Sequence, residues 1–215
     1  MSELAFQVYA KNYGSDIGAI HFREIIKLLQ NNRHLLPRKS RDADLSSEKV
    51  LAGFAKKHHR GRQINKPAIS DSPKDPIILL IAGRCFRLPA SEHDKFYEYH
   101  KQAMGVENVV GSYIEAYLDS QLQKLGWIWC AGSIVDKVDF FKVEENGTFL
   151  LQVKSRSNTE NSSSSTVRDG TSIEKWFRFY AETGETAWNE FPDKKAAKLL
   201  SEDGFREFVT KILTS

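Results

Sequence analysis

The spacing of the apolar residues changes near residue 126, and this change limits the folds that the chain can adopt. Between residues 106 and 125 apolar side chains recur every three or four positions, which predicts a long amphipathic helix. Gly126 is expected to end this helix, because glycine adopts the left-handed backbone conformation at little cost. From Trp127 onward apolar and polar residues alternate, which predicts strands. A helix followed by strands indicates a mixed α/β fold.

The strands after this helix are predicted at residues 127–131, 134–141 and 148–154. Residues 144–147 read Glu-Glu-Asn-Gly, and Asn-Gly is a strong signal for the tight turn of a hairpin. From residue 172 the chain is predicted to continue as helix, loop and helix, ending in the amphipathic segment 205–213. Residues 106–215 are therefore the predicted core of the fold.

Residues 1–105 are predicted to form a mainly helical region that packs on this core. Residues 16–31 carry apolar side chains at helical spacing, with Asp16 as the expected N-cap. Residues 91–104 are predicted as a further helix, and the apolar run at residues 77–82 as a buried strand.

Several classes of protein are excluded by what the sequence lacks. No apolar run approaches the ~20 residues of a membrane-spanning helix, and the N-terminus lacks the pattern of a secretory signal. Cys85 and Cys130 are too few for a disulfide framework. The six histidines do not have the spacing of a zinc protease or a zinc finger. We expect a cytoplasmic protein without a membrane partner.

The net charge of +3, from 31 Lys+Arg and 28 Asp+Glu, conceals a basic segment. Residues 33–66 hold ten Lys or Arg against three Asp or Glu, a local net charge of +7. Within it the run KKHHRGR at residues 56–62 is predicted to contact DNA phosphates, which would use Lys56, Lys57, Arg60 and Arg62. The alternative is a solvated helix end and loop, an ordinary meaning of such a charge run.

Four residues are candidates for hydrolytic chemistry. Glu115 lies in the middle of the long helix, and Asp139 lies in an apolar stretch that is predicted as a strand. Gln152 and Lys154 lie two positions apart on the next strand, so alternation places them on the same face. The hairpin can bring that face beside Asp139. Because a lysine is rarely buried without a partner, Lys154 at the end of an apolar strand requires a carboxylate or a negative substrate nearby.

Carboxylate and amide oxygens are ligands that suit Mg²⁺, so Asp139 and Gln152 are the candidate metal ligands. A bound Mg²⁺ can activate a water and neutralise charge on a phosphate, and Lys154 would assist. Asp136 is a rival to Asp139 as the metal ligand. The alternative interpretation is that Asp139, Gln152 and Lys154 lie on a solvated sheet face without a catalytic role.

The order of these residues resembles the PD-(D/E)XK nuclease superfamily. In that superfamily a helix precedes a β-meander, a metal-binding Asp begins a hairpin, and an acid-x-Lys pair follows on the next strand. This chain has Val138-Asp139, twelve intervening residues and then Gln152-Val153-Lys154. Gln152 replaces the acidic residue, which increases the importance of Glu115 as an auxiliary carboxylate. The resemblance implies a mixed β-sheet flanked by helices.

Residues 150–178 resemble, more narrowly, the stretch that follows the lysine in SinI-like type II restriction endonucleases, over about the C-terminal half of the chain. This resemblance implies an Mg²⁺-dependent homodimer that cuts both strands of double-stranded DNA, with GGWCC (W is A or T) as the site. Its polar side chains have the groups that read bases and contact phosphates. The predicted DNA contacts here are Arg156, Asn158, Glu160, Asn161, Ser162, Ser163, Ser164 and Arg168.

Two other functions remain open from the sequence. The same core serves DNA repair and junction nucleases, which act on DNA structures instead of a base sequence. A non-catalytic DNA-binding module could also retain this scaffold, and Gln152 in place of an acid favours that alternative. The polar stretch at residues 158–165 also has the composition of a flexible linker, which is the alternative to DNA recognition.

Overall fold

The computed structural model describes residues 2–69, 73–157 and 172–214. The helices before the sheet are α1 (Ser2–Tyr13), α2 (Ile17–Asn31), α3 (Glu48–Gly61), α4 (Pro76–Cys85) and α5 (His93–Leu122). The strands are β1 (Trp127–Trp129), β2 (Phe140–Glu144), β3 (Gly147–Arg156) and β4 (Ile173–Phe179). Helices α6 (Lys194–Ala197) and α7 (Glu202–Thr214) follow the sheet.

The four strands form one mixed sheet in the order β1-β2-β3-β4. Strands β1 to β3 are antiparallel, and Glu144 pairs with Gly147 at the predicted hairpin turn. Strand β4 is parallel to β3, with Val153 opposite Trp176. The sheet and its helices confirm the predicted α/β fold class.

Helices α1, α2 and α3 cover the apolar side chains of the sheet that include Phe141 and Leu150. Asp16 caps α2 as predicted, because its Oδ1 accepts the N–H of Gly18 at 2.8 Å and that of Ala19 at 3.3 Å. Ile25, Leu28 and Leu29 of the apolar stripe of α2 are buried, as the period of three to four residues predicts, whereas Ile20 is exposed.

Contacts between Cα atoms divide the chain into two compact units, Met1–Ile64 with Tyr113–Ser215, and Asn65–Ser112. In the second unit the hydroxyl of Tyr97 donates to the carbonyl oxygen of Pro73 at 3.0 Å. The division into residues 1–105 and 106–215 as domains stays a prediction.

Two predictions for the N-terminal half are wrong. Residues 77–82 lie in helix α4, because Asp75 caps the first turn and Pro76 occupies the first helical position. A short apolar run has no period that separates a buried strand from a helix. The predicted helices 91–104 and 106–125 are mostly one continuous helix, α5. Within the described ranges, no helix has both the length and the apolar character needed to cross a membrane.

Two predicted elements of the C-terminal half also differ. Residues 134–137 form turns, and strand β2 begins only at Phe140. Residues 173–179 form strand β4 instead of a helix. The aromatic residues of β4 favour a strand, and its place beside β3 depends on pairing between segments distant in sequence.

Candidate active site

Asp139 is held by the backbones of two strands. Its N–H donates to the carbonyl oxygen of Leu151 at 2.9 Å, and its carbonyl oxygen accepts the N–H of Cys130 at 2.8 Å. Its side-chain Oδ2 accepts the N–H of Val153 at 2.7 Å. Asp139 therefore stands one residue before β2, with its carboxylate fixed against β3.

Glu115 approaches the same place from helix α5. Its Oε2 accepts a hydrogen bond from the indole Nε1 of Trp129 at 2.8 Å. Burial, reinforced by the negative charge of Asp139, raises the pKa of Glu115 to about 8, against the Trp129 hydrogen bond and the charge of Lys154. Burial also raises the pKa of Asp139, against the Val153 hydrogen bond and the same lysine. The two carboxyl groups are thus close enough to disfavour each other's ionisation.

Lys154 is half-buried on β3, and its charge acts on both carboxyl groups. Gln152 is 9% exposed and lies two positions earlier, on the same face of the strand. The structure therefore brings Glu115, Asp139 and Lys154 together, as the sequence predicts, and places Gln152 on the strand face that carries the lysine.

A cavity of about 330 Å³ opens beside the two carboxyl groups. Glu115, Asp139, Asp136 and Cys130 are among the residues that line it. The N–H of Asp136 donates to the carbonyl oxygen of Leu35 at 2.7 Å. Both rival aspartates therefore face this cavity, but only Asp139 receives a hydrogen bond from β3.

The turn between β1 and β2 is held against the end of α3 by a close backbone contact. A Cβ atom on Gly132 would lie 2.2 Å from the carbonyl oxygen of Lys57, so only glycine fits there. The φ of Gly132 is +85°, which also favours glycine. Nδ1 of the buried His58 donates to the carbonyl oxygen of Ala131 at 3.1 Å. These contacts connect the basic segment to the loop that carries Asp139.

The four basic residues predicted to contact phosphate have different surroundings. Lys56, Lys57 and Arg60 are exposed on α3. The side chain of Arg62 is only 14% exposed, and its Nη2 donates to Oδ2 of Asp119 at 3.0 Å. The run that looks uniform in the sequence thus contains one enclosed arginine.

Of the predicted recognition residues, Arg156 is described, and it lies exposed at the end of β3. Its guanidinium carbon stands 5.4 Å from the centre of the Phe179 ring. The remaining predicted contacts, Asn158, Glu160, Asn161, Ser162, Ser163, Ser164 and Arg168, lie outside the described residues. Their role stays a prediction.

Trp129 and Asp119 belong to the site but do not stand out in the sequence. Trp129 orients Glu115, and Asp119 pairs with Arg62. Asp119 follows Glu115 by four positions, so both lie on one face of α5, and this spacing was an available signal. Trp129 resembles an ordinary core residue in its apolar strand, because only the tertiary structure brings its N–H to a carboxylate.

A helix that leads into an antiparallel meander, with a fourth strand parallel to the third, is the architecture of a restriction-endonuclease-like fold. The model of the SinI restriction endonuclease family matches residues 10–215, and the chain belongs to this family. The likeness thus reaches well beyond the C-terminal half in which the sequence first indicated it.

Two relatives agree with this assignment. The type II restriction enzyme Eco47I of Escherichia coli is 39% identical over 171 residues, which cover 79% of this chain and 74% of that protein. The type II restriction enzyme SinI of Salmonella infantis is 39% identical over 178 residues, covering 78% and 77% respectively. The protein is a type II site-specific deoxyribonuclease.

Proposed function

We propose that this enzyme hydrolyses both strands of a specific DNA site with Mg²⁺, through a PD-(D/E)XK site made of Asp139, Gln152 and Lys154. One observation carries the proposal. Two half-buried carboxyl groups, Glu115 and Asp139, share a cavity and the charge of one lysine. Partly desolvated acids with raised pKa values beside a lysine are typical of a site that binds a cation or transfers protons.

Asp139, which lines the cavity, and Gln152 on the neighbouring strand β3 have side chains that fit Mg²⁺. Asp139 offers a carboxylate and Gln152 an amide oxygen, and both are hard ligands. A backbone carbonyl oxygen of β3 would be a further hard ligand. In the described part of the chain no three His, Cys, Asp or Glu side chains gather as a metal cluster, so amide and backbone oxygens would complete the set. When bound, Mg²⁺ supplies an activated water and neutralises charge on the phosphate.

The protein side chains divide the remaining work. Lys154 positions the attacking water by a hydrogen bond and stabilises the negative charge that develops on the phosphate. Glu115 is the auxiliary carboxylate, and its hydrogen bond from Trp129 fixes its direction. The products are a 5′-phosphate and a 3′-hydroxyl.

The DNA duplex is held by exposed basic groups of α3 and by the end of β3. The exposed Lys56, Lys57 and Arg60 contact phosphates, while Arg156 and the polar stretch after it read bases in the site GGWCC. Because each chain has one site and the duplex has two strands, the working form is a homodimer with twofold symmetry. We expect the enzyme to act in the cytoplasm of a bacterial or archaeal cell, where its DNA substrate would be.

A plasmid digest with Mg²⁺ tests the proposal directly. We expect discrete fragments whose ends map to one short sequence, and no cleavage when EDTA removes the metal. Nicking only at branched or damaged DNA would favour a repair or junction nuclease. An intact plasmid with a mobility shift would favour a non-catalytic binder. Either of these two results would contradict the proposal.

A further inference from the structure

The guanidinium of Arg62 is enclosed by partners from three different elements. Its Nη2 donates to Oδ2 of Asp119 on α5 at 3.0 Å, and its Nη1 donates to Nδ1 of His21 on α2 at 3.2 Å. Its central carbon stands 5.2 Å from the ring centre of Trp129 on β1. The side chains of Asp119 and His21 are 9% and 3% exposed, so this arginine points into the protein.

Arg62 supplies the positive charge that balances Asp119 in this cluster. Burial, together with the charge of Arg62, lowers the pKa of His21 to about 3, so His21 is neutral at pH 7 and can accept a hydrogen bond. Burial raises the pKa of Asp119, and Arg62 opposes that effect by its charge and its hydrogen bond. Among the described residues, Asp119 Oδ1 has no hydrogen-bond partner, and His21 Nδ1 stands 3.6 Å away. Removing the guanidinium would leave a buried carboxylate without a cation.

The cluster reaches the active site through one indole. The ring of Trp129 that lies against Arg62 also donates its N–H to Oε2 of Glu115 at 2.8 Å. Glu115 and Asp119 stand one helical turn apart on α5. Arg62 therefore contacts Asp119 directly and is connected to Glu115 through Trp129.

We propose that Arg62 is a positioning residue of the nuclease: it fixes the Trp129 indole, and thereby the Glu115 carboxylate beside Asp139, and it does not contact DNA. The inference rests on the proposed function, because it takes Glu115 as part of the active site. It separates Arg62 from Lys56, Lys57 and Arg60, whose side chains are exposed on the same basic run.

The geometry requires arginine and not merely a positive charge. A planar guanidinium can donate to two partners at once and present its flat face to an aromatic ring, whereas an ammonium group cannot do both. Arg62→Lys should therefore retain the charge beside Asp119 and still lose the contact that fixes the Trp129 ring.

The decisive experiment compares Arg62→Met with the wild-type enzyme on a plasmid that the wild-type enzyme cuts. The single-turnover cleavage rate at saturating enzyme should fall about tenfold or more, as it does when a catalytic group loses its orientation. This rate does not depend on the folded fraction, so a merely structural role would leave it unchanged. Arg206→Met, an exposed arginine on α7, is the matched control and should cut at the wild-type rate.

DNA binding, measured without Mg²⁺ on a short duplex that spans a wild-type cleavage site, supplies the second readout. For Arg62→Met the Kd should stay within about twofold and the salt slope of log Kd should not change, because no phosphate contact is lost. For Arg60→Met the slope should decrease by about 1. A changed slope with an unchanged cleavage rate in Arg62→Met would overturn the inference.

Two further variants keep the inference testable if Arg62→Met does not fold. Arg62→Lys should show a similar loss of rate with the duplex still bound. Trp129→Phe keeps the apolar ring but removes the N–H that donates to Glu115, and it should slow cleavage in the same way. Wild-type single-turnover rates in both variants would overturn the inference, while a wild-type enzyme that cuts no plasmid would overturn the proposed function as well.

Discussion

The main-chain N–H of Val153 donates a 2.7 Å hydrogen bond to Oδ2 of Asp139. Val153 lies between Gln152 and Lys154, so this bond joins the aspartate before β2 to the part of β3 that carries both other candidate residues. A hydrogen bond from a backbone amide to a carboxylate is charge-assisted and short. The relative placement of the three side chains is thereby fixed by the backbone of the hairpin.

Lys154→Ala should abolish most of the cleavage and leave DNA binding measurable. Lys154 supplies the positive charge beside Asp139 and Glu115, and losing one positioned group that stabilises developing charge costs about 10²–10³-fold in rate. Plasmid cleavage and a mobility-shift titration measure the two effects separately. Lys198→Ala, an exposed lysine away from the cavity, is the control. Cleavage by Lys154→Ala at the wild-type rate would remove this lysine from the site.

Asp139→Ala and Asp136→Ala, assayed side by side, should separate the rival carboxylates. Asp139 is fixed against β3, whereas Asp136 lies in the preceding turn. We expect Asp139→Ala to lose cleavage and the heat of Mg²⁺ binding in calorimetry. Asp136→Ala should keep both within about tenfold, because it leaves the proposed ligands in place. The reverse result would move the metal site to Asp136.

Gln152→Glu should make the thermal stability of the protein depend more strongly on Mg²⁺. A third carboxylate beside Glu115 and Asp139 increases repulsion in the metal-free protein and strengthens the attraction for a cation. The rise in Tm on adding Mg²⁺ should therefore be larger in the variant than in the wild type, because binding stabilises the folded state. Gln121→Glu, at a half-buried position of α5 that does not line the cavity, is the matched control. Equal Tm shifts in the wild type and Gln152→Glu would argue against Gln152 as a ligand.

Gly132→Ala should destabilise the fold by about 3 kcal/mol, because both the backbone conformation and the contact with Lys57 are unfavourable for a side chain. Gly184→Ala is a close control, since Gly184 also has a positive φ but no atom within 4 Å of the added Cβ. That variant should lose only about 1 kcal/mol. Urea denaturation measures both values. Similar losses of stability in the two variants would show that the contact between Gly132 and the backbone of α3 has no effect on stability.

Asp193→Asn should lower stability at neutral pH by about 1 kcal/mol, the scale of a partly screened charged hydrogen bond. Burial opposes ionisation of Asp193, but hydrogen bonds from Lys142, Trp127 and two backbone amides outweigh it and lower its pKa to about 2. A depressed folded-state pKa stabilises the fold fully above the ordinary carboxyl pKa.

This contribution is then lost as the pH falls through about 2, so the difference between Asp193→Asn and the wild type should shrink between pH 4 and pH 2. Urea denaturation over this range measures it. Asp42→Asn, which removes a carboxyl group at an exposed position, is the matched control. A constant difference at every pH would mean that Asp193 acts through packing instead of charge.

Local patterns in the sequence determined the parts of this molecule whose interactions lie close along the chain. Asp16 and the apolar stripe after it define α2, because a cap and a period of three to four residues act within single turns. The Asn146-Gly147 turn and the alternation of β3 bring Lys154 beside Asp139 across one hairpin. The SinI-like stretch, likewise, is a local sequence signal.

Only the tertiary structure determined the features that depend on contacts between segments distant in the sequence. The apolar run at residues 77–82 is compatible with either a strand or a helix, and it forms a helix. Residues 173–179 form a strand because they pair in parallel with β3. Arg62 has the same local sequence context as Arg60, but a buried acid and an indole from other elements enclose it. Periodicity and turn chemistry act over a few residues, whereas burial and charge pairing depend on distant segments that only folding brings together.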